Sequence, residues 1–143
     1  MSKSLDKLYE FTSFSPLCKE MAMKVEHVAP KHGRILLPYD PKLVGDPQTR
    51  VIHGGAVSAL LDTTCGVAVM AHPDGSYNTA TIDLRIDYMR PALPDFDLIA
   101  EAEVYHTTKT VAFVRGTAWA QDEDKPVAIA TGAFVFERDK RKA

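Results

Sequence analysis

Cysteine, tryptophan and long apolar runs are all scarce in this chain. Its two cysteines, Cys18 and Cys65, fit no CxxC or other metal-ligand spacing. Two thiols behind a first segment without an apolar secretion signal point to a reducing, cytoplasmic setting rather than to a disulfide framework. No stretch approaches the roughly 20 apolar residues that span a bilayer. Charge of one sign is also lacking: the formal net charge is −2, and only the terminal RDKRKA gathers cations. That tail reads as a solvated end, so neither nucleic acid nor a membrane surface is an expected partner. The five histidines, His27, His32, His53, His72 and His106, are scattered with no i,i+4 pair on a predicted helix. No metal site is expected. Internal repeats and low-complexity segments are missing as well.

What is present is the mix of a single globular domain, with 45% hydrophobic and 25% charged residues over a length of 143. The reading is one domain over 1–143, with a core at about 19–137, a short N-terminal helical segment near Leu5 to Phe11, and the charged tail. KEMAMKVEHV and GRILLPYD read as two strands around the turn APKHG. From Gly55 to about His72 the sequence is apolar nearly all round, the pattern of a helix buried on most sides.

Everything after the HPDGS turn reads as strand. In SYNTATIDLRIDYM, Ala80, Ile82, Leu84, Ile86 and Tyr88 alternate with Thr79, Thr81, Asp83, Arg85 and Asp87, so one face should be buried and the other wet. DLIAEAEVYH, TVAFVRGTAWAQ and PVAIATGAFVFER follow, the last two joined by the charged turn DEDK. Ala112, Val114, Gly116, Ala118 and Ala120 share one face, as do Ala128, Ala130 and Gly132. Small residues on one face let a bulky partner approach the sheet, and the apolar helix is the large partner available. The expectation is an α+β fold: one long helix against a curved antiparallel sheet of about five or six strands, with the order open. An edge left by such a sheet would be hidden by dimerisation.

One residue breaks the apolar helix. Asp62 lies inside VIHGGAVSALLDTTCG, with Ser58 and Gly66 one turn away and no cation beside it. Burying an ionised carboxylate costs several kcal/mol, so its presence favours a functional role over a hydrogen bond to Ser58 or a neighbouring strand. At the start of the same helix, His53, Gly54 and Gly55 leave backbone N–H groups without intrahelical partners, suited to a carbonyl oxygen that becomes an oxyanion. His53 is favoured as a structural residue of that segment. Ser58 and Cys65 lack a nucleophile elbow or an adjacent histidine and read as packing. Eight residues separate Gly54 from Asp62, about 12 Å along one helix. Both can act on one bond only if the substrate is long or if two chains face each other across a twofold axis.

VIHGGAVSALLDTTCG, TIDLRIDYMRPA and VYHTTKTVAF together resemble the hotdog-fold acyl-CoA thioesterases of the phenylacetate-pathway type, over roughly Val44 to Glu137. HGG, an Asp nine residues after the His, and a strand ending in Tyr-x-Arg-Pro make the combination specific. The resemblance implies a homodimer with one continuous sheet, alone or paired into a dimer of dimers, and active sites at the interface. It implies that Gly54 offers its N–H to the thioester carbonyl and that Asp62 is general base or nucleophile, with Thr81 helping to hold the water. The family's asparagine upstream of HGG is missing, and Asp46 or Gln48 stands in its place. Coenzyme A, part of the substrate rather than a cofactor, would meet Asp83, Tyr88 and Arg90 and the loop His106, Thr107, Thr108, Lys109, Thr110. The alternative is a hotdog domain that binds acyl-CoA or acyl carrier without turnover. A hotdog dehydratase fits the His and Asp spacing less well.

Overall fold

The computed structural model describes residues 3–140. Its centre is helix α3, Gly54–Met70, which passes across a six-stranded sheet formed by β1 Lys24–Ala29, β2 His32–Leu37, β3 Thr81–Tyr88, β4 Leu98–Thr107, β5 Val111–Trp119 and β6 Ala128–Val135. All strand pairs are antiparallel, in the order β1-β2-β4-β5-β6-β3. The α+β expectation holds, and the strand order that periodicity left open is now fixed. The third strand in sequence lies at an edge, beside the last.

α3 is buried because it has almost no polar side to expose. Leu60, Leu61, Cys65, Val67 and Ala68 are wholly excluded from solvent, and cutting either leucine back to alanine would cost about 2–5 kcal/mol. The small-residue stripes explain how the sheet comes so close. A side chain at Gly116 would meet the Cys65 sulfur at 3.2 Å, so this glycine seats the helix. Gly132 serves a different neighbour: a Cβ there would lie 2.9 Å from the Asp83 carbonyl oxygen and 3.0 Å from Leu84 Cδ1, so it admits β3 rather than the helix.

Several boundaries differ from the expectation for local reasons. The predicted strand KEMAMKVEHV begins only at Lys24. Lys19 and Glu20 instead close α2, Pro16–Glu20, where the Ser15 hydroxyl caps the Cys18 N–H and Pro16 occupies the first turn. Ala22, at φ 57°, then turns the chain into β1. The N-terminal helical segment is a 3-10 turn over Asp6–Glu10 followed by α1, Phe11–Phe14. The strand predicted from Ser76 starts at Thr81, and its apolar face is not uniformly covered: Ile82 is 57% and Tyr88 52% exposed. An edge strand with a register shift between Thr81 and Asp83 has a neighbour on one side only. The tail is not wholly solvated, since Arg138 bridges to Gly75 and Asp139 is buried; residues 141–143 of that tail lie outside the described residues. Among the described residues no helix is long and apolar enough to cross a membrane.

Candidate active site

Asp62 occupies the middle of α3 but is half-buried rather than sealed in the core. The Thr81 hydroxyl, at the first residue of β3, donates a 2.6 Å hydrogen bond to Asp62 Oδ1. Ser58 does not reach the carboxylate; its hydroxyl is spent on the Gly55 carbonyl at 2.9 Å. Among the described residues the second carboxylate oxygen has no protein donor. Asp62 lines a cleft of about 350 Å³ whose other walls include Phe11, Leu17, Cys18, Gly66, Met70 and Phe134. A carboxylate held by one oxygen at the wall of a cleft can take a proton from water or attack a carbonyl carbon.

His53 caps the start of α3. Its ring Nδ1 accepts the Gly55 N–H at 2.7 Å, and its carbonyl accepts from Ala56 at 2.9 Å and Val57 at 3.4 Å. The structural role favoured for His53 is thus visible, and Gly55, grouped with the catalytic candidates, has its N–H already engaged. The Gly54 N–H is the first-turn donor outside this set, positioned by the helix to meet a developing negative charge. The Tyr88 hydroxyl donates to the Gly54 carbonyl at 3.1 Å, pinning the helix start to the far end of β3. Gly54, Tyr88 and Arg90 border a second cleft of about 380 Å³.

The two clefts lie on opposite ends of β3. Thr81 pairs with Phe134 and Tyr88 with Ala128, so seven residues, about 23 Å, separate them along the strand. The fold therefore does not bring Asp62 and Gly54 of one chain to one reacting carbonyl, as the spacing in sequence indicated. The remaining substrate-binding candidates divide the same way. Tyr88 and Arg90 belong to the Gly54 end. The turn after β4 belongs to the Thr81 end, because the Thr110 carbonyl accepts from Phe136 and Ala112 pairs with Phe134.

Not all of the predicted loop is loop. His106 and Thr107 complete β4 against Phe113 and Ala112, and the His106 ring stacks on Phe113 at 5.9 Å. Thr108, Lys109 and Thr110 make the turn, with the Thr108 hydroxyl accepting from Val111 at 3.0 Å. Asp83 is exposed on β3. Asp46 and Gln48 lie in an exposed turn where Asp46 accepts from the Gln48 backbone N–H at 2.9 Å and the Thr49 hydroxyl at 3.0 Å. Those two bonds hold the Asp46 carboxyl below the ordinary carboxylate range, the Gln48 bond first. Its carboxylate is occupied in shaping its own turn. Sequence reasoning missed the cleft walls Phe11, Leu17 and Cys18, which carry no chemical signature and only acquire meaning by packing beside Asp62.

The family model of the thioesterase superfamily matches residues 50–127, from just before HGG to the start of β6. A protein of Halobacterium salinarum to which an esterase activity is ascribed is 35% identical over 128 residues, covering 83% of each chain. The medium/long-chain acyl-CoA thioesterase YigI of Escherichia coli is 24% identical over 138 residues, covering 87% of this chain and 88% of that protein. A crystal structure of a Pseudomonas aeruginosa protein superposes with a TM-score of 0.81 at 39% identity, covering 92% of this chain and 97% of that one. The HGG helix start and the carboxylate in α3 thus sit inside the matched stretch, and the chain belongs to the thioesterase superfamily, on the hotdog fold.

Proposed function

We propose that this protein hydrolyses acyl-CoA thioesters to coenzyme A and a carboxylic acid. The observation that carries the reading is the Asp62 carboxylate, bonded through one oxygen to Thr81 and set in the lining of a cleft. As general base it takes a proton from water, whose oxygen attacks the thioester carbon; as nucleophile it attacks directly, and water then cleaves the acyl-aspartate. In both cases the C–S bond breaks, the sulfur leaves as thiolate, and the carbonyl oxygen is stabilised by the Gly54 N–H. The relationship to YigI supports an acyl-CoA substrate.

The working unit in this reading is a homodimer. β3 is an edge strand, and Ile82, Tyr88 and the following Met89 are exposed on it, a combination that invites pairing with another strand. Two copies joined edge to edge about a twofold axis run antiparallel, so the Thr81 end of one β3 meets the Tyr88 end of the other. Asp62 of one chain then faces the partner's Gly54, and Lys109 approaches the partner's Arg90, two cations for the phosphates of coenzyme A. Asp62→Asn keeps an acceptor for Thr81 and removes the base. It should lower kcat by about a hundredfold or more in a thiol-release assay over a panel of acyl-CoAs, with the oligomer intact by sedimentation. Wild-type turnover by Asp62→Asn would rule the assignment out, and acyl-CoA binding without turnover by the unmutated protein would favour the sensor alternative.

A further inference from the structure

Asp62, Gly66 and Met70 are spaced i, i+4, i+8 and form one stripe of α3, about 12 Å from the half-exposed carboxylate to the buried thioether. The cleft follows this stripe. Gly66 leaves its middle open: a Cβ there would touch only Thr79 Cγ2, at 3.8 Å. The wall across from the helix comes from Phe11, Leu17 and Cys18 of α1 and α2, outside the stretch that the family model matches. This wall is latched at the far end of the stripe. The Lys3 ammonium donates to the carbonyls of Met70, His72, Gly75 and Ser76, satisfying the end of α3, and lies 4.5 Å above the Tyr77 ring. The Tyr77 hydroxyl in turn donates to the Ser4 carbonyl.

Resting on the hydrolase reading above, we propose that the N-terminal segment from Lys3 to Glu20 is the length gauge of the acyl site: the acyl chain runs from Asp62 past Gly66 toward Met70 along the wall of Phe11, Leu17 and Cys18, and that wall sets how long it can be. The lining chemistry defines the substrate class. Asp62 is the only charged residue lining the cleft among those described; its apolar cover comes from Phe11, Leu17, Cys18, Met70 and Phe134, and its polar lining from neutral hydroxyls and the Asn78 amide. An uncharged, straight aliphatic chain gains from burial against flexible apolar side chains, and among the described residues no lysine or arginine lines the cleft to pair with a chain that ends in a carboxylate. Leu17 is 58% exposed, so it can be enlarged without disturbing the core.

The test separates this wall from the chemistry. Saturated fatty acids from hexanoate to palmitate are used to displace a dansylundecanoate probe from the full-length wild type, Leu17→Trp and Gly66→Ala, and the matching acyl-CoAs are assayed by thiol release. The expected result is a length limit in the wild type that moves to shorter chains in both variants, with the affinity ratio of dodecanoate to hexanoate falling at least fivefold in Leu17→Trp. A probe that does not bind, or a length limit unchanged in the folded variants, overturns the proposal. A limit that shifts while no acyl-CoA is cleaved leaves the gauge standing and defeats the hydrolase reading. Cleavage with one length profile in all three proteins does the reverse.

Discussion

Cys65, one turn from Asp62, is the residue whose chemistry the fold suppresses most. Burial first, and the neighbouring Asp62 charge second, push its thiol up to about 12 from an ordinary 9.0. The neutral thiol should resist iodoacetamide in the native protein at about pH 8 and react fully after denaturation, as read by mass spectrometry. The same shift has a stability consequence. A thiol whose folded pKa is raised contributes fully below its unfolded value, and that contribution is lost as pH rises from about 9 toward 12; urea midpoints measured across that window should fall, and Cys65→Ala should flatten the fall. The contrast with Asp62 shows what single residues disclose. A carboxylate in an apolar helix is conspicuous in the sequence by its misfit, and the hydroxyl of Thr81 could be assigned to it by family resemblance. The Tyr88 bond to the Gly54 carbonyl could not, because nothing local joins residues 34 apart in the chain.

At the scale of elements, α3 was legible because its apolar residues run all round it, leaving no period to misread. Its start carries a sharp prediction. Gly54 is the first helical residue, and His53 before it has φ −58° and ψ 135°, a conformation that suits the residue ahead of a proline. Gly54→Pro should therefore preserve the helix start while deleting the one N–H assigned to the thioester carbonyl. We expect circular dichroism and Tm close to wild type and a kcat lower by roughly a hundredfold or more; full activity would remove Gly54 from the mechanism. Strand β3 was half-legible. Its alternation marked the strand, but periodicity describes one chain's own pleat and not how many neighbours cover it, so Ile82 and Tyr88 came out exposed. The segment before β1 was least legible: α1 and α2 are four and five residues long, too short for a helical period, and depend on Ser15, Pro16 and packing.

For the whole molecule, the separation of the two clefts makes the dimer testable by mixing. If each site takes Asp62 from one chain and Gly54 from the other, a heterodimer of Asp62→Asn and Gly54→Pro contains one doubly damaged site and one intact site. Co-expressing the two inactive chains should restore about a quarter of wild-type activity, given random pairing in a twofold dimer. Separately purified, unexchanged mixtures should stay inactive, and failure of the co-expressed sample would place both residues' roles within one chain. The sheet edge was foreseeable from the strand count, but its identity was not, because strand order depends on which pairs close across the whole chain. That order also has a temporal side. Among the described residues β3 is hydrogen-bonded to no strand but β6, so during synthesis it must wait, unpaired, while roughly fifty further residues emerge. A nascent chain halted before residue 128 carries Asp62 and Thr81 already made but not yet joined, and the ribosome finishes the sequence of the site long before the fold can finish its shape.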